Sequence, residues 1–395
     1  MQKLSKKTEH FTDSVIRRMT RVAYQYDSIN LSQGFPDFAP PEMLLKRLGE
    51  TADMPDVHQY SITFGDPGFR RALAKKQSFF MGMDIDPDTE ITVTCGSTEA
   101  MMSSVLTVAD PGDKVIIFSP FYENYGADTI LSGADPIFVP LTPPHFTFDK
   151  AELETACAQP GVKALILCNP SNPCGKVFKR DELEFIADLA KKYDFYVVTD
   201  EVYEYITFDD NEHICMASLP GMFERTLTCN SLSKTYSITG WRLGYVIGNA
   251  EAIEAARKVH DFLTVGAAAP IQEAAFRALD SFGPEYYADL KVKYQSKRDI
   301  FLKGLDELGI EHTNPEGTYF VMIDISKFLE LDQFKGMSDM DFCEWMIINT
   351  GVAAVPGSSF FREPINHLIR LHFAREDETL YESLRRLKKM ADLLK

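Results

Sequence analysis

From about residue 90 onward, short runs of apolar and β-branched residues alternate with longer stretches in which apolar residues recur at helical spacing. Seven of the short runs read as strands: 91–95, 115–118, 137–139, 164–168, 196–199, 226–229 and 243–247. Among the stretches between them, residues 180–193 put Leu183, Ile186, Ala187 and Ala190 on one face of a helix. This alternation predicts an α/β fold with a large, mainly parallel seven-stranded sheet and helices on both faces.

The rhythm changes at both ends. Residues 12–24 read as a short helix, and residues 31–41, with Gly34, Pro36, Pro40 and Pro41, read as irregular. Beyond residue 285 come a long charged helix (285–308), a strand (319–324), a helix (338–349), a strand (367–373) and a closing helix (376–394). This pattern predicts a smaller α+β unit. A chain of 395 residues exceeds the size at which one core usually stops growing, so two packed units are expected. The predicted division is a large domain over 36–284 and a small one built from 1–35 plus 285–395, because the first 35 residues are too few to fold alone.

Charge narrows the partners. A formal net charge of -17 argues against nucleic acid and anionic membranes, and it means that any phosphate site must be made by specific local donors. The first residues lack the apolar core of a signal peptide and no apolar run is long enough to span a bilayer, which predicts a cytoplasmic protein. Seven cysteines, odd in number and never spaced C-x-x-C, read as free thiols. Eight histidines show no paired-ligand spacing, so no metal site is expected.

The chemistry concentrates where strands end, since ligands of open parallel sheets bind beyond the carboxyl ends of the strands. After the run 226–229, Lys234 is flanked by Ser233 and Thr235, with Ser231 before it and Arg242 after it. A lysine amine taken out of water beside another cation loses its proton more readily and becomes a nucleophile able to form a Schiff base. The hydroxyls and the guanidinium suit a phosphate. A carbonyl joined to a phosphate describes pyridoxal 5'-phosphate (PLP).

Four more strand ends supply complementary groups. After 91–95 comes Gly96-Ser97-Thr98-Glu99-Ala100, a small-residue turn opening a helix whose N-terminus can take an anion. After 115–118 come Phe121 and Tyr122, able to stack on a flat ring. Asn169-Pro170-Ser171-Asn172-Pro173-Cys174-Gly175 follows 164–168, and Asp200-Glu201-Val202-Tyr203 follows 196–199. Each taken alone also has a plain reading, as a helix cap, a core aromatic, a turn or a strand-end cap. Together they offer a phosphate cup, a stacking ring, hydrogen bonds, a carboxylate and an amine.

In order, G-S-T-E-A, S-P-F-Y, N-P-x-N-P-x-G, D-E-V-Y, S-x-S-K and R-L-G-Y resemble the class I/II aminotransferases of PLP fold type I, from Gly34 to Arg370. The resemblance implies that Lys234 holds the cofactor and shuttles the substrate proton, and that Asp200 pairs with the pyridine nitrogen and keeps it protonated. It implies that Tyr203 and Asn172 bond the ring 3-oxygen and that Tyr122 stacks on the ring. Ser97, Thr98, Ser231, Ser233 and Arg242 would bind the phosphate. Arg370 would grip the substrate α-carboxylate, helped by the Gly34 N–H. Tyr60 resembles the tyrosine that reaches a neighbouring subunit's phosphate site, which implies a homodimer with shared active sites.

Cys174 stands where the family more often has threonine, with no expected effect on the chemistry. Phe64-Gly65-Asp66-Pro67 and the segment 317–321 look closest to kynurenine, glutamine or methionine-type enzymes, and no second arginine for a distal carboxylate stands out. The expected substrates are an aromatic or sulfur-containing L-amino acid and a 2-oxo acid, with aspartate or alanine as the alternative donor. A PLP-dependent β-lyase shares the same anchor, and a non-catalytic effector module would need a DNA-binding extension.

Overall fold

The computed structural model describes residues 4–9 and 13–395. Each of the seven apolar runs forms a strand: β1 (Ile91–Thr94), β2 (Lys114–Ser119), β3 (Asp135–Pro140), β4 (Val162–Cys168), β5 (Tyr196–Asp200), β6 (Thr226–Ser231) and β7 (Gly244–Ile247). They make one sheet in the order β1-β7-β6-β5-β4-β2-β3. The pairs β2–β3, β2–β4, β4–β5 and β5–β6 are parallel, whereas β7 runs antiparallel to both β6 and β1. The reversal follows from the link after β6, a loop with one short 3-10 turn rather than the crossover helix that a parallel return needs.

The apolar runs are continuous because both faces of the sheet are covered. Ile116, Phe118, Leu165, Leu167 and Val197 face one core, joined by Leu153, Leu183 and Ile186 of the helices Lys150–Cys157 and Arg180–Tyr193. The alternate residues Val115, Ile117, Ala164, Ile166 and Val198 face the other, against Met101, Val105 and Tyr125 from the helices Ser97–Val108 and Asn124–Ser132. Alternate side chains of a strand point to opposite faces, so one run feeds two cores.

The C-terminal part forms its own three-stranded antiparallel sheet, with Leu368–His372 between Val355–Pro356 and Phe320–Asp324. The N-terminal segment joins it: Ile29–Asn30 pairs in parallel with Val352–Ala353, and Met19 and Ala23 share a core with Phe301, Phe342, Leu380 and Leu387. The first helix is Val15–Gln25, and residue 12 of the expected helix lies outside the described residues. Ile16 turns the other way, into a core beneath the large sheet. The helices Pro284–Leu308 and Asp377–Ala391 meet where Gly304 leaves room for Leu384, a Cβ there falling 2.2 Å from the leucine. We propose the domain boundaries at 35/36 and 284/285 on this shared N- and C-terminal core. All seven cysteines are free, and among the described residues no helix is long and apolar enough to cross a membrane.

Candidate active site

Because β4, β5 and β6 run in parallel, their carboxyl ends deliver residues 168–172, 200–203 and 231–234 to one edge of the sheet. A cavity of about 410 Å³ opens there. Its wall includes Asn172, Asp200, Tyr203, Ser233 and Lys234 from these strand ends, Ser97, Thr98 and Tyr122 from the neighbouring turns, and Gly34, Arg242 and Arg370 from farther along the chain. The lysine Nζ donates to the Gly34 carbonyl at 3.3 Å and stands 5.7 and 5.8 Å from the ring centres of Tyr203 and Tyr319. The two aromatic rings confine the amine on either side.

Asp200 ends β5 and is 6% exposed. Burial pushes its carboxyl up to about 6, against the opposing pull of the Tyr125 hydroxyl, the Val202 N–H and the Lys234 charge. The Tyr125 hydroxyl donates to Oδ2 at 2.7 Å. Tyr122 packs edge-on to Tyr125 with ring centres 5.8 Å apart, and burial, then the charges of Glu123 and Asp200, push its phenol up to about 12. It therefore presents a neutral ring to the cavity.

Arg370 rises from the small sheet, 1% exposed, with its guanidinium 4.1 Å from the Phe320 ring centre and 4.7 Å from that of Phe360. NH1 donates to Asn172 Oδ1 at 2.6 Å and NH2 to the Ser32 carbonyl at 2.8 Å, while Nε has no partner. Burial draws its pKa down to about 10, which still leaves it cationic at neutral pH. Gly34 sits opposite, where its carbonyl also receives the Tyr319 hydroxyl at 2.8 Å. A Cβ on Gly34 would lie 2.5 Å from the Phe320 ring, so only glycine lets the chain pass there.

At the other end, Gly96 caps the helix Ser97–Val108 with φ of 79°, a left-handed conformation that exposes the first helical N–H groups. The Arg242 guanidinium lies directly against it, a Cβ on Gly96 falling 2.3 Å from NH2. This end of the cavity thus gathers a guanidinium, a helix N-terminus and the residues Ser97, Thr98 and Ser233, a set whose chemistry suits an anion.

Residues 26–387 match the family model described as aminotransferase class I and II. The chain belongs to the class I and II aminotransferases. It is 34% identical to the kynurenine–oxoglutarate transaminase of Dictyostelium discoideum over 98% of this chain and 97% of that one. It is 36% identical to the methionine aminotransferase of Escherichia coli K12, over 95% and 96% of the two chains. The solved N-succinyldiaminopimelate aminotransferase of Mycobacterium tuberculosis superposes with a TM-score of 0.92 at 35% identity, covering 98% of this chain and 100% of that one.

Members of this family depend on PLP, and the donor set of this aminotransferase fits that group. The glycine-opened cup with its guanidinium suits a phosphate, the buried carboxylate suits a ring nitrogen, and the partnerless Arg370 Nε marks a guanidinium with donor capacity to spare. Two of the expected residues stand outside the wall. Ser231 is buried at the end of β6, its hydroxyl accepting the Ser233 N–H at 3.3 Å. Tyr60 is 91% exposed.

The structure adds residues that the motifs did not single out. Tyr125 lies three positions after Tyr122, in the first turn of the helix Asn124–Ser132, and that spacing was its only signal in the sequence. Arg17 and Glu123 line the outer part of the cavity, brought there by a contact between segments more than 100 residues apart, in which the Ser14 hydroxyl meets Glu123. No local pattern marks such a pair.

Proposed function

We propose that this aminotransferase moves an α-amino group from an L-amino acid to a 2-oxo acid, with PLP held in the cavity around Lys234. The observation that carries the reading is the shared cavity itself, where Lys234, Asp200, Arg370 and the Gly96–Arg242 cup line one space. When bound, PLP supplies an electron sink for the bond broken at the amino acid α-carbon. Lys234 Nζ anchors that group and then carries a proton to and from the substrate. Asp200, as the carboxylate, would accept a hydrogen bond from the ring nitrogen and keep it protonated, while the Asn172 amide and the Tyr203 phenol would hold the ring oxygen. Tyr122 would cover the ring face, and Ser97, Thr98, Ser231, Ser233 and Arg242 would hold the phosphate. Arg370 and the Gly34 N–H would orient the substrate carboxylate, and the two half-reactions would share this one site in ping-pong turnover.

For the substrate we infer an aromatic or sulfur-containing side chain. The apolar wall of Ile16, Phe35, Tyr122 and Phe320 supports this, as do relatives named for kynurenine and methionine. Arg17 favours a second reading, an acidic donor such as aspartate: it is exposed, lines the cavity and has no ion-pair partner among the described residues. Tyr60, exposed and away from the cavity of its own chain, supports a homodimer in which it serves the partner's site. The test is a single half-reaction. Holoenzyme mixed with methionine or phenylalanine and no oxo acid should release about one oxo acid per site and stop, restarting when a 2-oxo acid is added. Continuous release of ammonia and pyruvate from β-substituted amino acids would instead assign the protein to the β-lyases.

A further inference from the structure

Within electrostatic reach of Asp200 lies a second carboxyl that the reaction above does not use. Asp128 is 4% exposed and its Oδ2 has no hydrogen-bond partner. It is three residues from Tyr125 in the helix Asn124–Ser132, hence on the same helical face, and Tyr125 donates to Asp200. On its other side it borders a surface crevice.

Two buried carboxylates in electrostatic reach of each other cannot both hold a charge without a cation, and the arrangement shows which one does. Asp200 has the Tyr125 hydroxyl at 2.7 Å, the Val202 N–H at 3.4 Å and the Lys234 cation in its field. Asp128 makes no ion pair among the described residues. The groups facing it from the sheet are Asp200 and, on β6, Cys229, whose thiol is bound to Ser104 and is pushed up by burial. On the crevice side stand the carboxyls of Asp13, Glu99, Glu123 and Asp135, the thiol of Cys95 and the cations of Lys7, Arg17, Arg242 and Arg362, the Lys7 Nζ donating to the Leu131 carbonyl at 2.7 Å. Glu99 is taken up by His260 and Thr264, Glu123 by Ser14, and Arg242 NH1 by the Thr239 carbonyl.

We propose that Asp128 is a positioning acid for the ring-nitrogen end of the cavity: it stands within electrostatic reach of Asp200 in its neutral form, so that this buried pair carries one negative charge and not two. Burial and the Asp200 charge together push Asp128 up to about 8, in keeping with that geometry. Loss of its proton in mild alkali places a second negative charge beside the carboxylate that faces the electron sink. The carbanionic charge of the reaction then develops against two anions, and turnover falls. The inference rests on the aminotransferase reading for its kinetic consequence, but not for the protonation state.

Infrared spectroscopy of the full-length holoenzyme reads that state directly. The parent minus Asp128→Asn difference at neutral pH should contain the carbonyl stretch of a protonated carboxyl, sensitive to deuterium exchange, which vanishes on titration into alkali. In kinetics, Asp128→Asn should keep kcat within about twofold at neutral pH and move the alkaline limb of the kcat profile outward by about one pH unit. Should Asp128→Asn fail to fold, the parent labelled with carboxyl-¹³C aspartate gives the same answer, through one carboxyl carbon that titrates in mild alkali. Absence of a protonated carboxyl at neutral pH overturns the proposal whatever the activity. A protonated carboxyl with an unmoved alkaline limb overturns the positioning role. Failure of transamination alone, with the infrared band present, counts against the proposed function and leaves the assignment of the proton intact.

Discussion

Arg370 and Asn172 are 198 residues apart in the chain and joined by a 2.6 Å hydrogen bond in which the guanidinium NH1 donates to the amide Oδ1. The arginine comes from the small sheet and the asparagine from the turn after β4, so the bond joins the small sheet to the edge where the strands of the large one end. With Oδ1 so engaged, the asparagine Nδ2 has no protein acceptor among the described residues and is left as a donor for a ligand. The arginine fork, packed between Phe320 and Phe360, has little freedom to lose when a carboxylate binds.

Arg370→Lys is therefore expected to raise KM for every amino donor by about 10- to 100-fold, the worth of one or two charged hydrogen bonds, while cofactor absorbance stays intact. Steady-state kinetics with donors of several classes checks it. A loss confined to one class of donor would instead put Arg370 at the side-chain pocket.

Tyr125→Phe tests the support of Asp200. The Tyr125 hydroxyl lowers a carboxyl that burial raises to about 6. Removing this donor destabilises the carboxylate form, so the folded pKa rises further and the protonated, inactive form persists to higher pH. The acid limb of the kcat profile should move up by about one pH unit, with activity above pH 8 little changed. An acid limb that stayed in place would remove Tyr125 from the ionisation of Asp200.

Lys234 is confined by the rings of Tyr203 and Tyr319 and by the Gly34 carbonyl. Borohydride treatment of the PLP-loaded protein should attach the label to the peptide holding this residue, and Lys234→Ala should take up no label and lose turnover by several orders of magnitude. A label recovered on another lysine would move the anchor.

Tyr60 is 91% exposed in the single chain. In the proposed dimer, Tyr60→Phe should weaken PLP binding without altering the far-ultraviolet spectrum, and light scattering should give twice the chain mass. Mixed dimers of Lys234→Ala and Tyr60→Ala chains should recover part of the activity by placing both lesions in one site. A fully active monomer would exclude the shared site.

Much of the large sheet was legible because its strands are buried on both faces: unbroken apolar runs such as 164–168 and 196–199 announce themselves, and the residues after them inherit a place at the strand ends. The lysine, the aspartate and the asparagine could be placed at strand ends for that reason, and the structure brings all three to one cavity. The antiparallel return of β7 was not, since an apolar run carries no direction; a loop of about a dozen residues in place of a crossover helix decided it.

The sequence by itself determined the chemistry that could be offered, through which side chains follow which strands. Only the tertiary structure decided how those groups are tuned and what stands behind them. Whether Asp200 is poised near neutrality depends on Tyr125 and on exclusion of water, and whether Arg370 faces Asn172 depends on how the small sheet packs against the large one. Asp128, Arg17 and Glu123 had no motif to mark them, because their surroundings come from segments far apart in the chain. Motif residues are fixed by local strand-and-turn geometry, whereas burial, dielectric and like-charge proximity are sums over the whole packed molecule.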